Sequence, residues 1–193
     1  MTKTEDYEQV EVTNAAQLRD WLEANHAQDA SIWLVTWKKD AAPQKYVSRE
    51  EVLDEILCFG WIDGIRRKLD DTRTMQLLSR RKTQHWAKSY KDRVAKLTEE
   101  GRMHESGLRS VEEAKKSGLW TFMDDVDALI VPDDLRAALV AHPPAEANFD
   151  AMAPSYRRNV LRWVKLAKTP ATREKRIAEA AKTSRSGDKI PQM

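Results

Sequence analysis

The sequence predicts an α+β fold: a small, mostly antiparallel three-stranded sheet with helices in the N-terminal half, and an all-helical C-terminal half. Three observations lead there. Hydrophobic residues make up 41% and charged residues 33% of the 193, the balance of a globular chain rather than a disordered one. Up to Arg80 the apolar pattern switches between the helical period and a period of two. Beyond Arg81 only the helical period remains, punctuated by prolines.

The first helix opens near Thr13 or Asn14, either a good N-cap, and buries Leu18, Trp21 and Leu22. "SIWLVTWKK" is rich in β-branched and aromatic residues and apolar on both faces, so it reads as an inner strand. "SREE" is a capping box, with Ser48 at the N-cap and Glu51 at N3. Its helix buries Val52, Ile56 and Phe59, and Gly60 stands where helices end. From Trp61 the alternation puts Trp61, Asp63, Ile65 and Arg67 on one strand face, and Ile62, Gly64, Arg66 and Lys68 on the other. "LDDTR" is a hairpin turn and "TMQLLSR" the returning strand.

Ser89 then caps a helix burying Tyr90, Val94 and Leu97 and stopped by Gly101; another runs from about Leu108 to Gly118. "SYRRNVLRWVKLAK" places Tyr156, Val160, Trp163, Val164 and Ala167 on one stripe, and Thr169 with Pro170 restarts a helix. The expected organisation is an α+β unit with the hairpin over residues 1–85, a helical part over 86–183 packed on it, and a disordered tail over 184–193.

Several function classes are disfavoured by composition. The first twelve residues, "MTKTEDYEQVEV", lack an apolar export segment, and no apolar run reaches membrane-spanning length. A single cysteine, Cys58, makes no internal disulfide. The expectation is a cytoplasmic protein without a membrane partner. Six glycines form no phosphate-cradling GxGxxG or GxxxxGK[ST] loop, and the histidines at 26, 85, 104 and 142 lack zinc-ligand spacing, so no cofactor or metal is expected. The net charge of +2 does not call for a nucleic-acid partner. Charge is uneven, however: acids prevail from Glu99 to Asp150, while Ser155 to Arg185 carries ten bases against Glu174 and Glu179. The basic helices either dock on the acidic ones or face an anionic partner.

The stretch "CFGWIDGIRRKLDD" concentrates chemistry. Asp63, Arg66, Arg67 and Lys68 on one strand, with Arg80, Arg81 and Lys82 on its partner, gather positive charge on a short hairpin. Trp61 and Trp86 lie nearby in sequence. Guanidinium groups beside aromatic faces suit a small anion, because the planar fork binds carboxylate or phosphate at two points. The plainer alternative is that Asp63 pairs across the hairpin and the remaining charges are a solvated edge. Cys58 is a candidate reactive thiol, yet it falls in the last turn of a helix, where the dipole raises a thiol pKa. It reads more simply as a packing residue.

"LCFGWIDGIRRKLD", "RRKTQHWAKSYKDRVAKLTEEGRMHESGL" and "AKTPATREKRI" together resemble the YdeI/OmpD-associated, or bacteriocin-protection, family, from about Leu18 to Ile177. The resemblance implies a small bacterial α+β protein with a helical C-terminal part and a role in tolerance of antimicrobial peptides. Porin association is implied by the family only, and the missing export segment argues against it here. The signature carries Cys58, Trp61, Asp63, Gly64, Trp86, Gly101, Arg102 and Met103 onto this chain, while Ala87 and Tyr90 stand where members usually have serine and asparagine.

The leading functional expectation is a non-enzymatic binding protein of the stress or peptide-protection type. It holds a small anionic ligand or a protein partner through Trp61, Asp63, Arg66, Arg80, Trp86 and Arg102 meeting in one pocket. The alternatives are an enzyme using Asp63 or His85 as acid or base with Cys58 as nucleophile, and a nucleic-acid binder through the basic C-terminal helices.

Overall fold

Residues 6–190 are described in the structure, a computed structural model. Its elements are β1 (Gln9–Glu11), α1 (Ala15–Asn25), β2 (Ile32–Trp37), α2 (Arg49–Cys58), β3 (Trp61–Lys68), β4 (Arg73–Arg80), α3 (Lys88–Glu99), α4 (Glu105–Lys116), α5 (Asp124–Asp127), α6 (Asp133–Val140), α7 (Ala145–Ala151), α8 (Pro154–Lys165) and α9 (Pro170–Ser186). They form two compact units divided after Thr121 rather than after residue 85. The expected boundary was set by the change from strands to helices. Packing moves it, because α3 and α4 belong to the core of the strands: Val94, Leu97, Val111 and Ala114 share it with Ile32, Leu34, Trp61 and Leu78.

Four strands, not three, make the sheet of the first unit, in the order β1-β2-β4-β3. β1 runs parallel to β2, and β2, β4 and β3 are antiparallel neighbours. Only Val10 of the three β1 residues is buried, so this strand has too little pattern to be read locally; its pairing with β2 makes it.

β3 and β4 pair as Asp63↔Leu78 and then as Arg66↔Gln76, so Gly64 and Ile65 together face Leu77. This is a β-bulge, and it reverses the side-chain parity expected from simple alternation. Arg66 therefore shares a face with Asp63 instead of opposing it. Gly64 suits the crowded position, since a Cβ there would lie 3.3 Å from that of Leu77.

The caps expected at Asn14, Ser48 and Thr169 formed, but Ser89 does not cap α3: the N-cap is Ala87, without a side-chain bond, and Ser89 lies inside the first turn. Asn14 accepts from the Gln17 amide at 3.0 Å, and the Ser48/Glu51 box is reciprocal, with Glu51 accepting from the Ser48 amide at 2.8 Å. α4 starts earlier than expected because the His104 ring is its N-cap, accepting from the Ser106 amide at 3.2 Å. The first turn of α4 satisfies orphan carbonyls at the end of α2: the His104 amide donates to Cys58 O (3.0 Å) and Ser106 Oγ to Phe59 O (3.1 Å). Gly107 makes this approach possible, since any Cβ there would collide with the Cys58 carbonyl.

The second unit is helical, with Leu135, Leu139, Phe149, Val160, Val164 and Ala181 in its core. Its bases meet its acids: Lys165 reaches Asp125 at 2.5 Å, Arg173 grips both oxygens of Asp134 at 2.6 and 2.9 Å, and Arg157 reaches Asp150 at 3.0 Å. The expected disordered tail is also corrected as far as residue 190. α9 continues to Ser186, and Ile190 is buried with its amide donating to Tyr156 Oη at 2.8 Å. One apolar side chain with a hydroxyl partner is enough to hold this stretch; residues 191–193 lie outside the described residues. No helix among the described residues is long and apolar enough to cross a membrane.

Candidate functional site

The six sequence-derived site residues do not converge. Trp61 is a core residue with no exposed surface; its indole N–H donates to His26 O at 3.1 Å, and its ring packs edge-on against Trp21 at 5.6 Å. Arg80, opposite Trp61 on β4, donates to Ala27 O at 3.1 Å and lies 3.4 Å from Asp29. Asp63 and Arg66 are joined through Gln76, which accepts from Arg66 Nη2 at 2.9 Å and donates to Asp63 Oδ2 at 3.1 Å. Tyr90 Oη donates to the other oxygen, Oδ1, at 2.5 Å. Burial, then this bond to the Asp63 carboxylate, pushes the phenol up to about 12. Both Asp63 oxygens are thus occupied, one by Gln76 and the other by Tyr90.

Arg102 belongs elsewhere. It binds Glu55 at 2.6 Å and Asp54 at 3.3 Å, while Arg19 binds Glu55 at 3.0 Å and Arg93 pairs with Asp54. Cys58 lies in this cluster. Burial, followed by the charge of Glu55, raises its thiol to about 11 despite the opposing pull of Arg102 and Arg19. That is the wrong direction for a nucleophile at neutral pH.

Trp86 leads to the residue that matters. Arg81, the residue after β4, is anchored by its amide to Gly60 O at 2.9 Å, and its guanidinium carbon sits 3.9 Å from the centre of the Trp86 ring and 5.2 Å from that of Tyr90. It is only 8% exposed. Its Nη1 makes long contacts to Gln84 O (3.4 Å) and His85 O (3.3 Å), while Nε and Nη2 have no partner. By the covalent geometry of guanidinium, Nε–H and the Nη2 hydrogen on that side form one edge, the side-on fork that grips carboxylate or phosphate. Trp86 Nε1 is unpartnered as well. Three of the four buried polar side-chain atoms without partners among the described residues are therefore on this one stacked pair. Burial lowers Arg81 to about 10, with Tyr90 and Asp63 pulling the other way, so it stays charged at neutral pH.

Two cavities border Arg81. One of about 120 Å³ is lined by Arg80, Arg109, Ser106, Ser110 and His26; the other, about 210 Å³, by Trp86, Gln84, Ala114, Ser117 and Leu119. Arg81, Ser110 and Glu113 are walls of both. Among the described residues, no group of three or more His, Cys, Asp or Glu could hold a metal ion.

Residues 10–110, more than half of the 193-residue chain, match the family model for a domain of unknown function, DUF8412. The chain belongs to this family. Residues 128–187 match a second model, bacteriocin-protection, YdeI or OmpD-associated, which bears out the resemblance over the segment holding "AKTPATREKRI". The other two resembling stretches, around "CFGWIDG" and "EEGRM", fall within the DUF8412 span, and so does Arg81. Neither the curated proteins nor the solved structures include a match to the chain.

Within the DUF8412 segment, sequence reasoning placed Arg81 among the hairpin bases but did not single it out from Arg80 and Lys82. Gln76, Tyr90 and Arg109 were missed as site neighbours. The only available signal was position: Arg81 directly follows the last strand residue, where a side chain can turn inward.

Proposed function

We propose that the protein is a non-enzymatic cytoplasmic binding protein whose first unit holds a small anion on Arg81, in a chain with a role related to bacteriocin protection. One observation carries this reading: the Nε/Nη2 edge of a buried arginine and the indole N–H stacked beneath it all lack acceptors. A buried donor without an acceptor costs about 1–3 kcal/mol, and more when charged, so an arrangement with three of them is matched to an acceptor that comes from outside.

Support for the alternatives is weaker. An enzyme built on Cys58 and Asp63 would need a thiol that ionises and a carboxylate that is free; burial opposes the first, and Tyr90 and Gln76 occupy the second. A nucleic-acid interface on α8 and α9 would have to take Lys165, Arg173 and Arg157 from Asp125, Asp134 and Asp150. The test is thermal denaturation with acetate, phosphate and sulfate at fixed ionic strength, on the wild type and on Arg81→Met. The expected result is an anion-dependent rise in Tm that Arg81→Met abolishes, because a ligand that binds only the folded state stabilises it by mass action. An equal rise in both proteins, or none in either, overturns the proposal.

A further inference from the structure

The two cavities at Arg81 differ in chemistry, and the difference defines the ligand more closely. The smaller one has three arginines, Arg80, Arg81 and Arg109, among its lining residues, together with Ser106 and Ser110. These serines lie in the first half of the twelve-residue helix α4, whose N-terminal end carries the positive pole of its dipole. The acids nearby are poor competitors. Arg80 meets Asp29 at 3.4 Å and Arg109 meets Glu105 at 3.0 Å, all with largely exposed side chains, and such pairs are worth about 0–1 kcal/mol. Asp29 is shared besides with Lys82 at 3.2 Å. Glu113, the carboxylate common to both cavities, is exposed and free to turn away.

A carboxylate has two oxygens and a single charge. Three guanidiniums and the Ser110 hydroxyl offer more donors, and more charge, than it can use, even with the Ser106 hydroxyl already given to Phe59 O. A phosphoryl group, with three terminal oxygens and up to two charges, matches them. A volume of about 120 Å³ leaves little room beyond that group. The neighbouring cavity of about 210 Å³ has a mixed lining, with Trp86, Ala114 and Leu119 as its apolar walls beside Lys82, Thr83, Gln84 and Ser117. Arg81 is a wall of both, with its unpartnered Nε/Nη2 edge buried beside the stacked indole.

We infer that the ligand is a phosphomonoester, its phosphoryl group held among Arg80, Arg81 and Arg109 and its small organic group seated against Trp86, Ala114 and Leu119. The inference rests on the anion-binding reading above and adds the chemical class and the orientation.

The experiment is calorimetric titration of inorganic phosphate, phenyl phosphate and benzoate into the full chain, its Arg109→Ala variant and its Arg81→Met variant, each checked for native fold by circular dichroism. Phenyl phosphate is expected to bind at least tenfold more tightly than either inorganic phosphate or benzoate. Arg109→Ala, at an exposed position, should weaken phenyl phosphate about tenfold and leave benzoate unchanged, while Arg81→Met removes all binding. Benzoate binding as well as phenyl phosphate would overturn the phosphomonoester assignment and leave the anion reading standing. Inorganic phosphate binding as well as phenyl phosphate would overturn the second-cavity seat. Failure of all three ligands to bind the wild type overturns both readings together.

Discussion

Two arginine sites in the first unit differ in what faces the guanidinium group. At Glu55, which is 5% exposed, Arg19 and Arg102 converge at 3.0 and 2.6 Å, and Asp54 takes Arg102 and Arg93. Charge there is balanced by neighbours on α1, α2, α3 and the segment after it. At Arg81 the burial is similar, yet no carboxylate contacts the guanidinium, and its partners are two aromatic faces and two distant carbonyls. The first arrangement ties helices together. The second leaves a charge without a carboxylate inside the protein, which is costly for stability and is the feature the proposed anion site rests on. Arg102, about one-third exposed, is matched by carboxylates, whereas Arg81, 8% exposed, has an edge without any acceptor.

The largest effect that sharpens this contrast belongs to Glu55→Gln. Removing the shared anion leaves Arg102 only its longer pairs with Asp54 and Glu100, both at 3.3 Å, and Arg19 only that with Glu23 at 3.4 Å. Because both are about one-third exposed, the expected loss is about 2–3 kcal/mol, below the range for fully buried pairs, read by urea denaturation. Burial first, and Glu55 after it, hold the Cys58 thiol up; the substitution removes only the second cause, so alkylation by iodoacetamide at pH 8 should accelerate by no more than severalfold over wild type. Unchanged stability and labelling would mean the cluster does not organise this corner.

Tyr90→Phe comes next. Asp63 would keep Gln76 and lose its shortest partner, with Arg49 no nearer than 3.9 Å. A buried acceptor deprived of one bond predicts a loss of about 1–2 kcal/mol, again by denaturant titration. The smallest effect, and the one with the opposite sign, is that of Arg81→Met on the stability of the ligand-free protein. Removing an uncompensated buried charge while keeping an unbranched side chain over Trp86 should leave stability unchanged or raise it by up to about 1 kcal/mol. A loss as large as that of Glu55→Gln would make Arg81 a structural residue like Arg102 and erase the distinction between the clusters.

How much of this was visible before folding depended on whether each cause was local. The Ser48 box, the Asn14 cap and the Gly60 stop were read from a few neighbouring residues, because capping is satisfied within one turn. The side-chain direction of Arg66 was misread, since the bulge at Gly64 and Ile65 depends on the register against β4. Trp61 looked like a ligand contact, and packing against Trp21 made it core. The general neighbourhood from residue 61 to 86 was legible as basic and aromatic. Which arginine lacked a partner was not.

By itself, then, the chain's order of residues determined the α+β class, most helix starts and stops, and the accumulation of guanidinium and indole groups around one hairpin. Those outcomes follow from periodicity and from hydrogen bonds that close over three or four residues. Tertiary structure decided the fourth strand, the place where the two units divide, and the assignment of each arginine to a carboxylate or to none. Pairing energies depend on distances between residues 36 to 83 positions apart in the chain, as between Arg19, Glu55 and Arg102, and such distances exist only once the helices have packed.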